Sequence, residues 1–157
     1  MQNFSADYRP LTASLSEVAD LIAEVISATA PTDKAATMIA NCTNVERLER
    51  ILAERTWFEA RVDGRLVGVA CVHLTTPTTA YLSSHYIRLR RRGIGSALTT
   101  LRLDWAREQG ATTASATTHL WNTASLANLA SAGFQVVGES PDLWAPPGVI
   151  VELVRSW

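Results

Sequence analysis

The chain has 157 residues, 47% of them hydrophobic and 18% charged, with a net charge of −1. That balance excludes a disordered polar chain and predicts one globular domain over 1–157, with a core large enough to need no staples. It argues against a general nucleic-acid binder, and no apolar run reaches membrane length.

Residues 4–11 read as a first strand, ending at Pro10. Ser14 and Glu17 form a capping box ahead of a helix whose apolar stripe is Leu15, Val18, Ile22, Val25 and Ile26. Pro31 and Asp33 break the chain. A second helical stretch carries Val45, Leu48 and Leu52 behind a capping box expected at Thr43 and Glu46. Its Glu46, Arg47, Glu49, Arg50 and Glu54 make a mixed, solvated face. Residues 57–62 and 65–74 predict a hairpin around Asp63-Gly64, its second arm apolar on both faces as a central strand requires. After Pro77 a strand over 79–87 runs into an arginine-glycine loop. A helix over 93–109, a strand over 111–118, a helix over 123–132 and a strand over 133–139 follow. Pro141, Pro146 and Pro147 mark a loop in which Trp144 is either an aromatic plug or a wall for an acceptor or dimer partner. A strand over 149–155 closes the chain.

Cys42 and Cys71 are the two cysteines and have no metal-like spacing, which predicts a reducing compartment, no metal site and a cytoplasmic location. Cys71 lies in the apolar strand, where burial is the expected role.

The loop Arg90-Arg91-Arg92-Gly93-Ile94-Gly95-Ser96 stands at the mouth of the amphipathic helix carrying Ile94, Ala97, Leu98, Leu101 and Trp105. A helix N-terminus presents unpaired backbone N–H groups and the positive end of the dipole. Glycines let a phosphate approach the backbone, and arginines add forked charged donors. The cluster Arg88, Arg90, Arg91 and Arg92 therefore reads as a phosphate site. It is no Walker A loop, which requires a Lys-Ser/Thr pair where this chain has Ser96-Ala97. Nor is it a dinucleotide-binding turn, since Leu98 occupies the place of the third glycine.

Arg90-x-x-Gly93-x-Gly95 resembles the acyl-CoA pyrophosphate loop of the GCN5-related N-acetyltransferase (GNAT) superfamily. Asn122-Thr123-Ala124-Ser125, then Leu129 and Gly133-Phe134, match the asparagine after strand five and the Gly-Phe pair before strand six of that family. The resemblance covers nearly the whole chain. It implies an α/β (α+β) GNAT fold: a mixed central sheet of about seven strands, flanked by about four helices and splayed between strands four and five. It also implies acetyl-CoA as cosubstrate and allows a homodimer.

Carried onto this sequence, the resemblance places backbone of Arg91, Arg92, Gly93, Ile94, Gly95 and Ser96 around the pyrophosphate, with Arg90 in the same cofactor-binding loop. His85, Tyr86 and Ile87 fall on the pantetheine edge. Many relatives carry a tyrosine acid seven residues after the asparagine; here that place is Leu129, which cannot donate a proton. Asn122 and Ser125 resemble instead the Asn-x-x-Ser variant of acetyltransferases acting on ribosomal-protein N-termini, so Ser125 either meets CoA or helps cap its helix.

No residue stands out as the base. The strand over 79–87 lacks a carboxylate, and plain alternation puts Thr79, Tyr81, Ser83 and His85 on one face. Tyr81 lies where some relatives place a base, and His85 has the most suitable intrinsic pKa. His73 is expected to be a buried structural histidine rather than a base, Glu59 to be a solvated surface glutamate rather than a group reaching the acceptor side, and His119 to be a loop residue.

These readings converge on an N-acetyltransferase that moves an acetyl group from acetyl-CoA to a primary amine of a small molecule or peptide N-terminus. Direct attack in a ternary complex is the expected route, with no metal, nucleic acid or membrane partner. The alternative is an acyl-CoA-binding module of the same fold that does not turn its ligand over.

Overall fold

The computed structural model describes residues 5–89 and 92–157. Seven strands form one mixed sheet: β1 (Asp7–Pro10), β2 (Thr56–Val62), β3 (Arg65–Thr76), β4 (Thr79–Ile87), β5 (Thr113–His119), β6 (Gln135–Pro141) and β7 (Val149–Ser156). They lie in the order β1-β2-β3-β4-β5-β7-β6. Every adjacent pair is antiparallel except β4 and β5, which run parallel across the helix that connects them.

Among the described residues five helices flank the sheet, one more than the sequence predicts: α1 (Leu15–Thr29), α2 (Thr32–Cys42), α3 (Val45–Glu54), α4 (Ile94–Glu108) and α5 (Thr123–Ser131). The second helical stretch is two helices, since α2 begins directly after Pro31 and ends at the C-cap Thr43, and α3 starts again behind the N-cap Asn44. Asn44 caps α3 by accepting from the Arg47 amide, in place of the expected Thr43. Thr43 is spent on the preceding helix, where its hydroxyl donates to the Ile39 carbonyl at 2.6 Å. The Ser14–Glu17 capping box is present, and Asp63 and Gly64 both take positive φ, as a primed two-residue hairpin turn demands.

Helices α1 and α3 bury Val18, Leu21, Ile22, Leu48 and Ile51 against Trp57, Leu66, Val69 and Cys71 on one face of the sheet. On the other face α4 and α5 bury Leu98, Leu103, Ala106 and Leu129 against Val67, Ala70, Val72, Leu82 and Ala116. β3 is buried on both sides from Leu66 to Val72, which explains its unbroken apolar run.

Two features of β4 shape everything that follows. It pairs with β5 only from Thr79 to Leu82, opposite Thr113 to Ala116, and beyond that point its one strand partner among the described residues is β3. Its ladder with β3 also slips between Cys71↔Ser83 and Val69↔Tyr86, and Ser84 takes a φ of +49°. This bulge inserts one residue and reverses the alternation of side chains. The expectation that His85 shares a face with Tyr81 and Ser83 is therefore incorrect. Ser83 meets Cys71 on the α1 face, whereas His85 meets Arg102 of α4 on the opposite one.

Candidate active site

Where β4 and β5 part, a cleft of about 770 Å³ opens through the sheet. Its lining includes Val25, Ile26 and Met38 from α1 and α2, and Gly95, Ser96 and Asn128 from α4 and α5. Both faces of the sheet thus contribute to one cavity.

At one end lies the start of α4. Gly93 holds a φ of +74°, a left-handed conformation that favours glycine, and it has no side-chain cap to offer the first turn. The amides of Ile94, Gly95 and Ser96 belong to the turn that has no carbonyl partner within its own helix. These residues line the cleft together with Arg92 and Gly93. Arg90 and Arg91 lie outside the described residues. Arg88 does not join the cluster. Its guanidinium pairs with Glu24 of α1 at 2.6 Å and donates to the Leu66 carbonyl at 3.0 Å. Gly95 is the tight position, since a Cβ there would sit 3.3 Å from both His85 Nε2 and Asn128 Nδ2.

Beneath this turn lies a buried cation that sequence reasoning missed. Arg102, 1% exposed, donates to the carbonyls of Cys71 and Ser83, to Thr99 Oγ1 and to His85 Nδ1. Burial lowers its pKa to about 10, so it stays charged at neutral pH. Thr99 in turn donates to Asn128 Oδ1 at 2.8 Å, tying α4 to α5. Arg102 and Thr99 sit three residues apart on the face of α4 turned to the sheet, a periodic signal that reads as core when only apolar residues are counted.

Because an arginine can only donate, His85 Nδ1 must accept, and the neutral ring carries its proton on Nε2. Burial, reinforced by the Arg102 charge, pushes the His85 pKa down to about 3. The geometry makes His85 a fixed hydrogen-bond donor beside Gly95 and leaves it no free lone pair with which to act as a base. Tyr86 and Ile87 also line the cleft; burial raises the Tyr86 pKa, and Ile87 packs on Ile94 and Leu98.

On the β5 side Asn122 caps α5 by accepting from the Ser125 amide at 3.1 Å. The cap therefore uses the backbone of Ser125 and not its hydroxyl, and both residues line the cleft. Leu129 is 4% exposed and belongs to the core.

The α1 face of the gap has different chemistry. Tyr81 Oη hydrogen-bonds Thr117 Oγ1 at 2.5 Å, linking β4 to β5 where they separate, and its ring meets His73 edge-on. Tyr81 itself is not among the cleft's lining residues. His73 is partly buried, and desolvation lowers its pKa. His119 is the last residue of β5 and no loop residue: it lines the cleft, stacks on Trp121 at 4.8 Å, and turns Nδ1 to Asp142 at 3.2 Å.

Glu59 differs most from expectation. It is fully buried and accepts from Arg9, Arg61, Thr12 and the amides of Thr12 and Ala13. Burial alone would raise its pKa, but these bonds outweigh burial and hold it at about 2. It fastens the β1–α1 connection and is remote from the cleft. Trp144 is also outside the cleft, 59% exposed with Arg47 over its ring at 5.0 Å.

A mixed sheet splayed at its one parallel pair among the described residues, with a glycine-started helix at the mouth of the gap, defines an α/β architecture. The Acetyltransferase (GNAT) family model matches residues 22–134, and the chain belongs to that family. Solved structures with the same fold include the PaiA N-acetyltransferase from Thermoplasma acidophilum in complex with coenzyme A, with a TM-score of 0.78 and 15% identity over 98% of this chain and 99% of that one. An acetyltransferase from Bacillus subtilis in complex with CoA gives a TM-score of 0.72 and 15% identity over 98% and 99%. YncA of Salmonella typhimurium, a putative acetyltransferase with its cofactor acetyl-CoA, gives 0.68 and 18% over 96% and 93%. No curated protein matches the chain. Among the described residues no helix is long and apolar enough to cross a membrane.

Proposed function

We propose that this chain acts as one acyltransferase domain that moves an acetyl group from acetyl-CoA to a primary amine of a small molecule or peptide N-terminus. The observation that carries this reading is the single cleft running from the first turn of α4, through the β4–β5 gap, to the α1 face. Donor and acceptor can then approach one thioester from opposite sides of the sheet, which is what direct attack in a ternary complex requires.

In this reading the amides of Ile94, Gly95 and Ser96 hold the pyrophosphate, with Arg90, Arg91 and Arg92 contributing charge. Pantetheine lies along His85, Tyr86 and Ile87, where β4 has no strand partner on its β5 side among the described residues. The His85 Nε2–H and the Ser125 hydroxyl donate to the donor molecule from opposite banks, and Asn122 holds Ser125 in place. Tyr81 serves the acceptor side by fixing Thr117 at the point of separation. The thioester is already activated, so positioning supplies most of the acceleration.

Release of free CoA from acetyl-CoA, screened over amines, amino acids, aminoglycosides and peptide N-termini, tests the reading, with donor binding followed by thermal shift. Turnover with one acceptor class supports an enzyme. One observation favours the alternative of an acyl-CoA-binding module: Leu129 places a core leucine where a proton donor is expected. Thermal stabilisation by acetyl-CoA without thiol release across the panel would select it.

A further inference from the structure

The residues on the α1 face of the gap contain one charge arrangement that the donor site does not use. Asp142, 2% exposed, stands where β6 runs into the β6–β7 connection. Its Oδ1 accepts from the amides of Trp144 and Ala145 at 3.0 and 3.1 Å, and its Oδ2 lies 3.2 Å from His119 Nδ1, an ion-pair contact that does not have hydrogen-bond geometry. Burial would raise the Asp142 pKa, but the two amides, His119 and Lys34 outweigh it and keep the group a carboxylate. Lys34, at the start of α2, donates to the carbonyls of Ala145 and Pro147, so the connection that carries Asp142 is strapped to α2. Asn41, further along α2, donates to the Trp144 carbonyl.

The carboxylate therefore has a built position, and it biases the state of the histidine. The negative charge of an ionised Asp142, 3.2 Å from Nδ1, favours the proton on His119 Nδ1 and leaves the lone pair on Nε2. No described residue bonds that Nε2. The ring lies flat on Trp121, with an interplanar angle of 14°, and its side chain is 21% exposed to the cleft that it lines. Alternation along β5 puts His119 on the face of Thr117, opposite Ala116 and its α4–α5 core. His119 thus stands on the acceptor side, while His85 stands on the donor side with the reverse tautomer. The indole Nε1–H of Trp121, also on the cleft, is buried without a hydrogen-bond partner among the described residues.

From this geometry we propose that His119, oriented by Asp142, is the general base that deprotonates the acceptor amine. The proposal rests on the acetyltransferase reading above. A primary ammonium transfers one proton to His119 Nε2, and the resulting imidazolium is held by the Asp142 carboxylate. The freed nitrogen lone pair attacks the thioester carbonyl carbon and the C–S bond breaks. The thiolate leaves with the proton shed by the new amide nitrogen, and His119 returns its proton to solvent. Asp142 and Lys34 are the charged groups that face the ring, and they oppose one another. Desolvation, with Lys34, lowers the His119 pKa below 6.5 despite the carboxylate, so the ring is an unprotonated acceptor at neutral pH.

The test compares wild type with His119→Gln, using acetyl-CoA and two probe acceptors, phenethylamine and hydroxylamine, between pH 6 and 9. Phenethylamine is nearly all ammonium at pH 7, whereas hydroxylamine is mostly unprotonated there. The variant is expected to lose roughly 100-fold in kcat/KM for phenethylamine at pH 7. That loss shrinks as pH rises toward the pKa of the amine. Hydroxylamine transfer and KM for acetyl-CoA should stay within about threefold. A uniform loss with both probes at every pH, or an unchanged phenethylamine profile, overturns the assignment while leaving the acetyltransferase reading standing. Imidazole nitrogen NMR supplies a readout free of turnover. The protein has three histidines, and His119 must show the Nδ1–H tautomer and change to Nε2–H in Asp142→Asn. An Nε2–H tautomer in wild type overturns the proposal. Wild-type protein that binds acetyl-CoA and acetylates neither probe nor any member of the amine panel overturns the acetyltransferase reading and this assignment together.

Discussion

Arg102 Nη2 lies 2.9 Å from His85 Nδ1, and this contact decides what the histidine can do. A guanidinium cannot accept, so His85 is held as a neutral Nε2–H donor with its pKa pushed down to about 3. Its Nε2–H signal should persist in nitrogen-resolved NMR from pH 5 to 8. His85→Ala removes an acceptor from a buried cation and should cost roughly 1–3 kcal/mol of stability, read from the denaturation midpoint. Under the proposed function it also weakens CoA binding about tenfold, since one hydrogen bond is lost.

Gly93 and Gly95 should fail for different reasons. No atom lies within 4 Å of a Cβ added at Gly93, so Gly93→Ala is resisted by its left-handed φ alone, at about 1–2 kcal/mol. Under the proposed function Gly93→Asp also sets a carboxylate among the amides that hold the pyrophosphate and should abolish CoA binding in a titration by calorimetry. At Gly95 the obstruction is steric, against His85 and Asn128. Gly95→Val should therefore weaken CoA binding even though the backbone there can accept a side chain.

Ser125→Ala separates the two roles open to that residue. The helix cap uses the Ser125 amide, so the variant should keep its melting temperature. A loss of several-fold in CoA affinity is expected from the missing hydroxyl. Asn122→Ala removes the cap itself and should cost about 1 kcal/mol.

Tyr81→Phe deletes the hydroxyl that joins Tyr81 to Thr117. If it sets the acceptor side, kcat should fall about tenfold while KM for acetyl-CoA is unchanged. An equal rise in KM for the donor would place Tyr81 on the other side of the reaction.

Acid should unfold the protein in two overlapping windows. Glu59 has its pKa lowered from 4.5 to about 2 in the folded state, so its stabilisation is complete above 4.5 and is lost as pH falls toward 2. His85 has its pKa lowered from 6.5 to about 3, so the folded state also loses stability as pH falls from 6.5 toward 3. Glu59→Gln should flatten the lower window and cost roughly 3 kcal/mol at pH 7, because Arg9 and Arg61 lose a buried carboxylate. Denaturant titrations at stepped pH check both.

The sequence by itself determined the alternation of helices and strands, the Ser14 cap, the Asp63-Gly64 turn and the glycine-started helix at the mouth of the site. Each of these is written in local spacing or in a residue's own backbone preference. Through the family resemblance it also showed Leu129 where many relatives carry a tyrosine acid, because that position is counted directly from Asn122. The tertiary structure alone decided which polar residues share a site. A single bulge at Ser84 turned His85 from the face of Tyr81 to that of Arg102, an inversion that strand periodicity cannot register. Glu59 became a structural carboxylate because Arg9, Thr12 and Ala13, 46 to 50 residues away, converge on it. His119 gained a function only through Asp142 and Lys34, brought together by the β6–β7 connection lying on α2. Local preferences are properties of a residue and its neighbours in sequence, whereas a protonation state belongs to neighbours in space.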